Sequence, residues 1–235
     1  MRTGIPGELH PDQVGLDRNG LTPHHRGALM RTGIIGTGRI GSTLARILVA
    51  SGHPVVLANA TGPRSLAPLL AELGPEAAAA HPVEAAGQAD LLVLMVPFAD
   101  VRGLLPPHVV QDKVLVDATN AFGGPGTPAD LGGRGSSELV AEWYPGARVV
   151  KSLNTMHFET LAVAGTASGR TASERLAHYT AGDDTKAKEI VAGIITDLGF
   201  APVDTGPLHS GGNLQQPGGP LFNRSLTEAQ ALAWI

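Results

Sequence analysis

The run Gly36-Thr37-Gly38-Arg39-Ile40-Gly41 limits what this chain can fold into more than any other feature. Glycine makes up 31 of 235 residues, so a G-x-G-x-x-G spacing carries little weight alone. Its setting carries more. Gly33–Ile35 reads as a short apolar strand. Ile40, Leu44, Ile47 and Leu48 then recur at helical spacing up to Gly52, and Val55–Ala58 reads as a second buried strand. In such a unit the first glycine permits the tight turn, the second lets a pyrophosphate approach the backbone, and the third lets helix and strand pack closely. The N–H groups and the positive dipole end of the helix then face the phosphates. Gly36, Thr37, Gly38, Arg39, Ile40 and Gly41 are therefore candidate dinucleotide-binding residues.

The end of the second strand separates NAD from NADP. An NAD site places Asp or Glu there to accept from the ribose hydroxyls. Here the stretch is Ala58-Asn59-Ala60-Thr61-Gly62-Pro63-Arg64, with no carboxylate to repel a 2′-phosphate. Asn59 and Thr61 can donate hydrogen bonds, and Arg64 can supply charge. Arg39 is a further cation within reach. The alternative for Arg64 is a solvated helix-start residue. The expectation is NADP(H) rather than NAD.

Beyond this unit the pattern alternates strand and helix. Helix 65–73 ends at Gly74, and residues 76–90 hold a short strand and an alanine-rich helix. The run 91–96 reads as a central strand buried on both faces, ended by Pro97. A strand at 114–116, a Gly-rich loop over 120–135, a helix at 137–143 and a strand at 147–152 follow. Strand 179–182, helix 185–198 and strand 200–203 come next. A Gly/Pro/Gln-rich stretch (211–220) then precedes a last helix near 226–234. This order implies a doubly wound, Rossmann-like α/β fold with a mainly parallel sheet. The expected organisation is a mobile extension over 1–29, an NADP-binding domain over 30–152, and a small α/β extension over 153–235 that completes the sheet and the acceptor site. Met1-Arg2-Thr3-Gly4 repeats as Met30-Arg31-Thr32-Gly33, which makes Met30 the expected working start of the fold.

Composition excludes several classes. With 43% apolar and 16% charged residues the chain is globular. A net charge of -4 without basic runs gives no reason to expect nucleic acid or an anionic membrane. There is no cysteine, so disulfides, thiolate metal sites and Cys nucleophiles are out, and a cytoplasmic setting fits. No apolar stretch approaches a membrane span.

Further motifs carry a resemblance. They are GIIGTGRIGSTLARILVASGHPVVLAN, ADLLVLMVPF, KVLVDATN, SSELVAEWYPGARVVKSLNTM, Gly182-Asp183-Asp184 after a strand, and Asp204-Thr205-Gly206-Pro207-Leu208. From Gly33 to Leu208 the chain resembles the F-420-dependent NADP oxidoreductases, which pass a hydride between NADPH and the deazaflavin coenzyme F-420 (F420). The resemblance implies that Thr37, Gly38, Arg39 and Ile40 hold the pyrophosphate and that Asn59 and its neighbours hold the 2′-phosphate. It implies that Val96 and Pro97 lie along the cofactor, and that Asn120 and Asn154-Thr155-Met156 frame the nicotinamide and its partner ring. The family commonly has Ser-Arg after the Asn, where this chain has Ala60-Thr61. Arg64 then replaces that cation, or NADP selectivity is weakened. His157-Phe158-Glu159 and the Gly/Gln-rich tail also depart from the family, both on the acceptor side.

Direct hydride transfer between stacked rings needs no catalytic acid or base, which fits a sequence without a triad or metal cluster. No metal is expected. His24 and His25 lie in the leader, His53 follows a helix-ending glycine, and His81 and His108 adjoin prolines. None has metal-ligand spacing. His157 is the one weak catalytic candidate. It, or Glu159, can supply a proton if the acceptor is a ketone or imine; otherwise His157 caps a loop. Three readings stand: an NADPH:deazaflavin oxidoreductase, an NADPH-dependent reductase of a small carbonyl or imine, and a non-catalytic NADPH sensor. Pyrroline-carboxylate and imine reductases append a long helical domain, whereas the residues after Lys151 here still read as strands. The apolar tail of Leu226, Ala229, Leu232, Trp234 and Ile235 covers the sheet or a partner, and a homodimer is expected.

Overall fold

The apolar runs of the sequence become a single eight-stranded sheet in the computed structural model, which describes residues 30–165 and 170–235. The leader over 1–29, with His24 and His25, lies outside the described residues. In chain order the elements are β1 (Thr32–Ile35), α1 (Arg39–Ala50), β2 (Val55–Ala58), α2 (Ala67–Leu73), β3 (Ala77–Ala79), α3 (Pro82–Gln88), β4 (Leu91–Leu94) and β5 (Val114–Asp117). There follow β6 (Phe122–Gly124), β7 (Thr127–Pro128), α4 (Ser136–Trp143), β8 (Arg148–Lys151), α5 (Phe158–Ala164), β9 (Ala177–Ala181), α6 (Thr185–Asp197), β10 (Ala201–Gly206), α7 (Leu208–Gln215) and α8 (Glu228–Leu232).

The strand order is β10-β9-β8-β5-β4-β1-β2-β3. The six strands from β3 to β8 are parallel, and the order reverses between β1 and β4. That reversal leaves a crevice at the carboxyl ends of β1 and β4, where an open α/β sheet takes its ligands. β9 pairs with β8 antiparallel through Lys151 and Ala181, and β10 runs parallel to β9. The sheet is doubly wound and mainly parallel, as the alternating pattern requires.

Side-chain alternation along the strands builds a core on each face. Ile34, Leu57, Val93 and Val116 pack with Leu44 and Leu48 of α1, Leu161 of α5 and Val191 and Ile195 of α6. Ile35, Val56, Leu92, Leu94 and Leu115 point the other way, onto Ala85 and Ala86 of α3, Val140 of α4 and Tyr144. The tail covers β9 and β10: Leu221 and Ala231 pack against Tyr179 and Val203. Leu232, Trp234 and Ile235 stay exposed.

Several elements differ from the sequence reading, among them α5, where no helix is expected, and β10, which runs on to Gly206. β4 stops at Leu94, two residues short of the apolar run, although Met95 N still donates to the Ile35 carbonyl at 2.8 Å. The loop at 120–135 contains the small β6–β7 hairpin. The glycine-rich tail begins as helix α7, whose Gly211 lies where a Cβ would meet the Thr205 carbonyl oxygen at 2.5 Å.

Candidate dinucleotide site and its carboxyl-edge loops

The glycine turn is built by three different constraints. Gly36 has φ +110°, and a Cβ there would meet the Met95 carbonyl oxygen at 2.4 Å. Its N–H donates to the Ala58 carbonyl at 2.8 Å. The turn is thereby wedged between the ends of β2 and β4. At Gly41 a Cβ would lie 2.0 Å from the Gly36 carbonyl oxygen, so only glycine lets α1 start this close to β1. Gly38 differs: a Cβ there meets no atom within 4 Å. It is the N-cap of α1, contributes no capping side chain, and has no acidic residue in the turn beyond it. Thr37 is half-buried, and Arg39 and Ile40 are exposed. The helix start thus presents open backbone of positive potential at the crevice.

Asn59, at the end of β2, is tied into its own turn. Its Nδ2 donates to Ser65 Oγ at 3.0 Å, and its Oδ1 accepts from Gly62 N at 2.8 Å. The side chain shapes the loop carrying Thr61 and Arg64, both exposed. Arg39 is the exposed first residue of α1. Its guanidinium lies 5.4 Å from the ring centroid of Phe158, the first residue of α5. Phe158 was not among the sequence candidates; as an aromatic beside His157 it carried no periodic signal.

Val96 and Pro97 follow β4 and border the turn: the Cβ position of Gly36 is 3.0 Å from Val96 N. Across the edge, Asn120 and Asn154 are brought together. Asn120 Nδ2 donates to the Asn154 carbonyl at 3.0 Å, and Asn154 Nδ2 donates to Asn120 Oδ1 at 3.0 Å and to the Gln215 carbonyl at 2.8 Å. Asn154 Oδ1 is buried and has no hydrogen-bond partner. Thr155 beside it is buried. His157 is exposed at the N-cap of α5, with Nδ1 3.6 Å from Glu159 Oε2. His53 bonds Asp197 at 3.1 Å and is structural.

Beneath these loops lies a buried ion pair that the sequence reading missed. Lys151 Nζ is 3.2 Å from Asp117 Oδ2, and neither side chain is exposed. Burial pushes the Lys151 ammonium below its ordinary pKa, against the opposing pull of the Asp117 carboxylate. The available signal was a charged residue inside the apolar run Val149-Val150-Lys151, with Asp117 closing the neighbouring strand. Among the described residues no group of three His, Cys, Asp or Glu side chains is placed to hold a metal ion. Nor is any helix among them long and apolar enough to cross a membrane.

Comparison with known proteins gives the family rather than the residue roles. Residues 31–121 match the family model described as NADP oxidoreductase, coenzyme F420-dependent. The matched segment runs from β1 through Asn120, and so contains the turn, the Asn59 loop, Val96 and Pro97. The chain belongs to this family. It is an NADP-dependent oxidoreductase. A hypothetical protein from Sinorhizobium meliloti is 36% identical, with a TM-score of 0.74 over 84% of this chain and 95% of that one. A protein from Arthrobacter sp., named as a candidate F420-dependent NADP reductase, is 27% identical, with a TM-score of 0.63 over 76% of this chain and 86% of that one. An imine reductase from Pseudomonas sp. shares the fold at 19% identity and a TM-score of 0.56, over 76% of this chain but 56% of its own.

Proposed function

We propose that this oxidoreductase transfers a hydride between NADPH and the deazaflavin coenzyme F-420. The observation that carries the nucleotide part is the open backbone at Gly38, between the wedged glycines 36 and 41. A Cβ at Gly38 would fill space that the protein leaves free, which is what a closely approaching pyrophosphate needs. Thr37, Gly38, Arg39 and Ile40 hold the pyrophosphate. Thr61 and Arg64, on the loop shaped by Asn59, meet the 2′-phosphate. Val96 and Pro97 lie along the nicotinamide ribose, and Asn120, Asn154 and Thr155 orient the ring.

NADPH, when bound, supplies the hydride. The protein contributes proximity, orientation and exclusion of water, with no acid or base required for transfer to a stacked ring. The buried, unpartnered Asn154 Oδ1 suits an amide donor of a ligand. Family membership and the likeness to the Arthrobacter protein support the deazaflavin as acceptor. In this reading the protein works in the cytoplasm as a homodimer, with exposed Leu232, Trp234 and Ile235 at the subunit contact. A monomeric mass in solution would reject the dimer.

One observation favours a second reading. His157 and Glu159 stand exposed at the start of α5, where a proton donor for a carbonyl or imine acceptor would be useful. The experiment mixes protein, NADPH and oxidised F-420 and follows both absorption bands. Loss of both bands together supports deazaflavin reduction. Oxidation of NADPH only with an added imine or carbonyl replaces it with the second reading. Binding of NADPH without oxidation under any of these conditions reduces the role to sensing.

A further inference from the structure

Lys151 has no part in the hydride transfer, yet its charge is held in the core beneath the ring site. It is directly opposite Asp117 in the β5–β8 register. Its Nζ contacts the Thr119 carbonyl oxygen at 2.5 Å, Asp117 Oδ2 at 3.2 Å and Ser136 Oγ at 3.4 Å. Asp117 Oδ1 accepts from Thr119 N at 2.9 Å and Thr119 Oγ1 at 2.6 Å, and Oδ2 accepts from Ser137 Oγ at 2.5 Å. Thr119 is thus gripped at its N–H, its hydroxyl and its carbonyl. The next residue is Asn120.

The β8 side is fixed from the same place. Ser152 N donates to the Asp117 carbonyl at 3.2 Å, and Ser152 Oγ donates to the Tyr179 carbonyl at 2.7 Å. The chain then passes through Leu153 at φ +58°, a conformation costly for a branched residue unless its surroundings impose it. Asn154 follows. Sheet packing alone does not call for a charge here, because apolar residues of similar volume serve a buried position as well as an ion pair does.

We infer that Lys151 is a positioning residue: its ammonium clamps the Thr119 carbonyl and so fixes the Asn120–Asn154 pair that orients the nicotinamide. This rests on the reading of that pair as the ring site.

Two ligands separate the ends of the dinucleotide. NADPH reaches both ends, whereas 2′,5′-ADP reaches only the phosphate end. Lys151→Met alone would leave Asp117 buried without a counter-charge, so the test uses Lys151→Met/Asp117→Asn. In that variant the asparagine still accepts from Thr119 and donates to Ser137. Binding of both ligands is titrated for wild type, for Asn154→Ala and for the double variant. Asn154→Ala and the double variant are each expected to weaken NADPH about tenfold, the scale of one lost charge-assisted or buried hydrogen bond. Their affinity for 2′,5′-ADP should stay within about twofold of wild type. Lys151→Gln/Asp117→Asn, which restores a donor to the Thr119 carbonyl, should recover NADPH affinity. If Asn154→Ala weakens NADPH and the double variant does not, the positioning role is overturned while the ring site stands. Equal loss of both ligands in the double variant makes Lys151 merely structural and also overturns it. If Asn154→Ala leaves NADPH affinity unchanged, the ring-site reading fails and this inference with it.

Discussion

Asn120 and Asn154 hold one another reciprocally: each Nδ2 donates to the other residue at 3.0 Å, one to a backbone carbonyl and one to a side-chain oxygen. The pair joins the loops after β5 and β8, and a further bond from Asn154 to the Gln215 carbonyl at 2.8 Å adds α7. Asn154 is the more committed partner, since it is buried and gives both its amide hydrogens. Asn154→Ala is therefore expected to cost about 1–3 kcal/mol of stability, the scale of leaving buried acceptors unpaired. Asn120→Ala should cost less, because Asn120 is only half-buried. Urea denaturation of both variants checks the ranking, and a larger loss at Asn120 contradicts it.

The glycine turn predicts a separation of binding from folding. Gly41→Ala forces a Cβ to within 2.0 Å of a backbone oxygen and should destabilise the protein strongly. Gly38→Ala meets nothing within 4 Å, and its φ of -69° suits alanine. That variant should keep the unliganded melting temperature of wild type. It should nevertheless bind NADPH more weakly by about tenfold or more, as the methyl group stands where the pyrophosphate lies. Thermal melts with and without NADPH read both effects. Unchanged NADPH affinity in Gly38→Ala would remove the basis of the nucleotide assignment.

Much of this was legible because backbone sterics write themselves into glycine spacing and buried parallel strands into apolar runs. The β1–α1–β2 unit shows both signals, whereas Asn120 and Asn154 come only from the family resemblance and not from any pattern in the residues themselves. What could not be read depends on tertiary contact. Gly211 and Gly212 look like helix breakers, yet α7 forms because Gly211 packs against Thr205 more tightly than a side chain allows. Phe158–Ala164 is too short for a clear period, and packing of Leu161 and Ala164 on the core makes it a helix. Lys151 and Asp117 are far apart in sequence, and only their strand register reveals that they face each other.

Arg64 tests nucleotide choice. No carboxylate lies between Ala58 and Arg64, and Asn59 spends Oδ1 on Gly62 and one amide hydrogen on Ser65. A 2′-phosphate then depends on Thr61 and Arg64 for new contacts. Arg64→Ala should weaken NADPH by about tenfold, consistent with about 1.5–3 kcal/mol for a hydrogen bond to a charged group less its solvent exposure. NADH affinity should not change. Dissociation constants for the two nucleotides measure this directly. Parallel loss of both would place Arg64 in loop structure instead.

Acid should weaken the fold through one histidine. His178 on β9 is buried, packs edge-on against Phe200 at 4.5 Å, and has no hydrogen-bond partner at either ring nitrogen. Burial pushes its pKa down from 6.5 to about 4. The folded state therefore favours the neutral ring, while the unfolded chain takes up a proton as pH falls below 6.5. Stability is fully present above that pH, declines as pH falls toward about 4, and loses about 3 kcal/mol over that window at about 1.4 kcal/mol per pKa unit. Carboxylates held below their ordinary range, Glu138 and Asp184 among them, lose their contribution below 4.5 and 3.8 respectively. The interval from 6.5 down to 4.5 thus separates His178 from them. His178→Leu removes the titrating group and both unpartnered nitrogens while keeping an apolar filler against Phe200. Urea denaturation at pH 7.5 and pH 5 should show a smaller difference for this variant than for wild type, and an identical difference in the two proteins would refute the assignment.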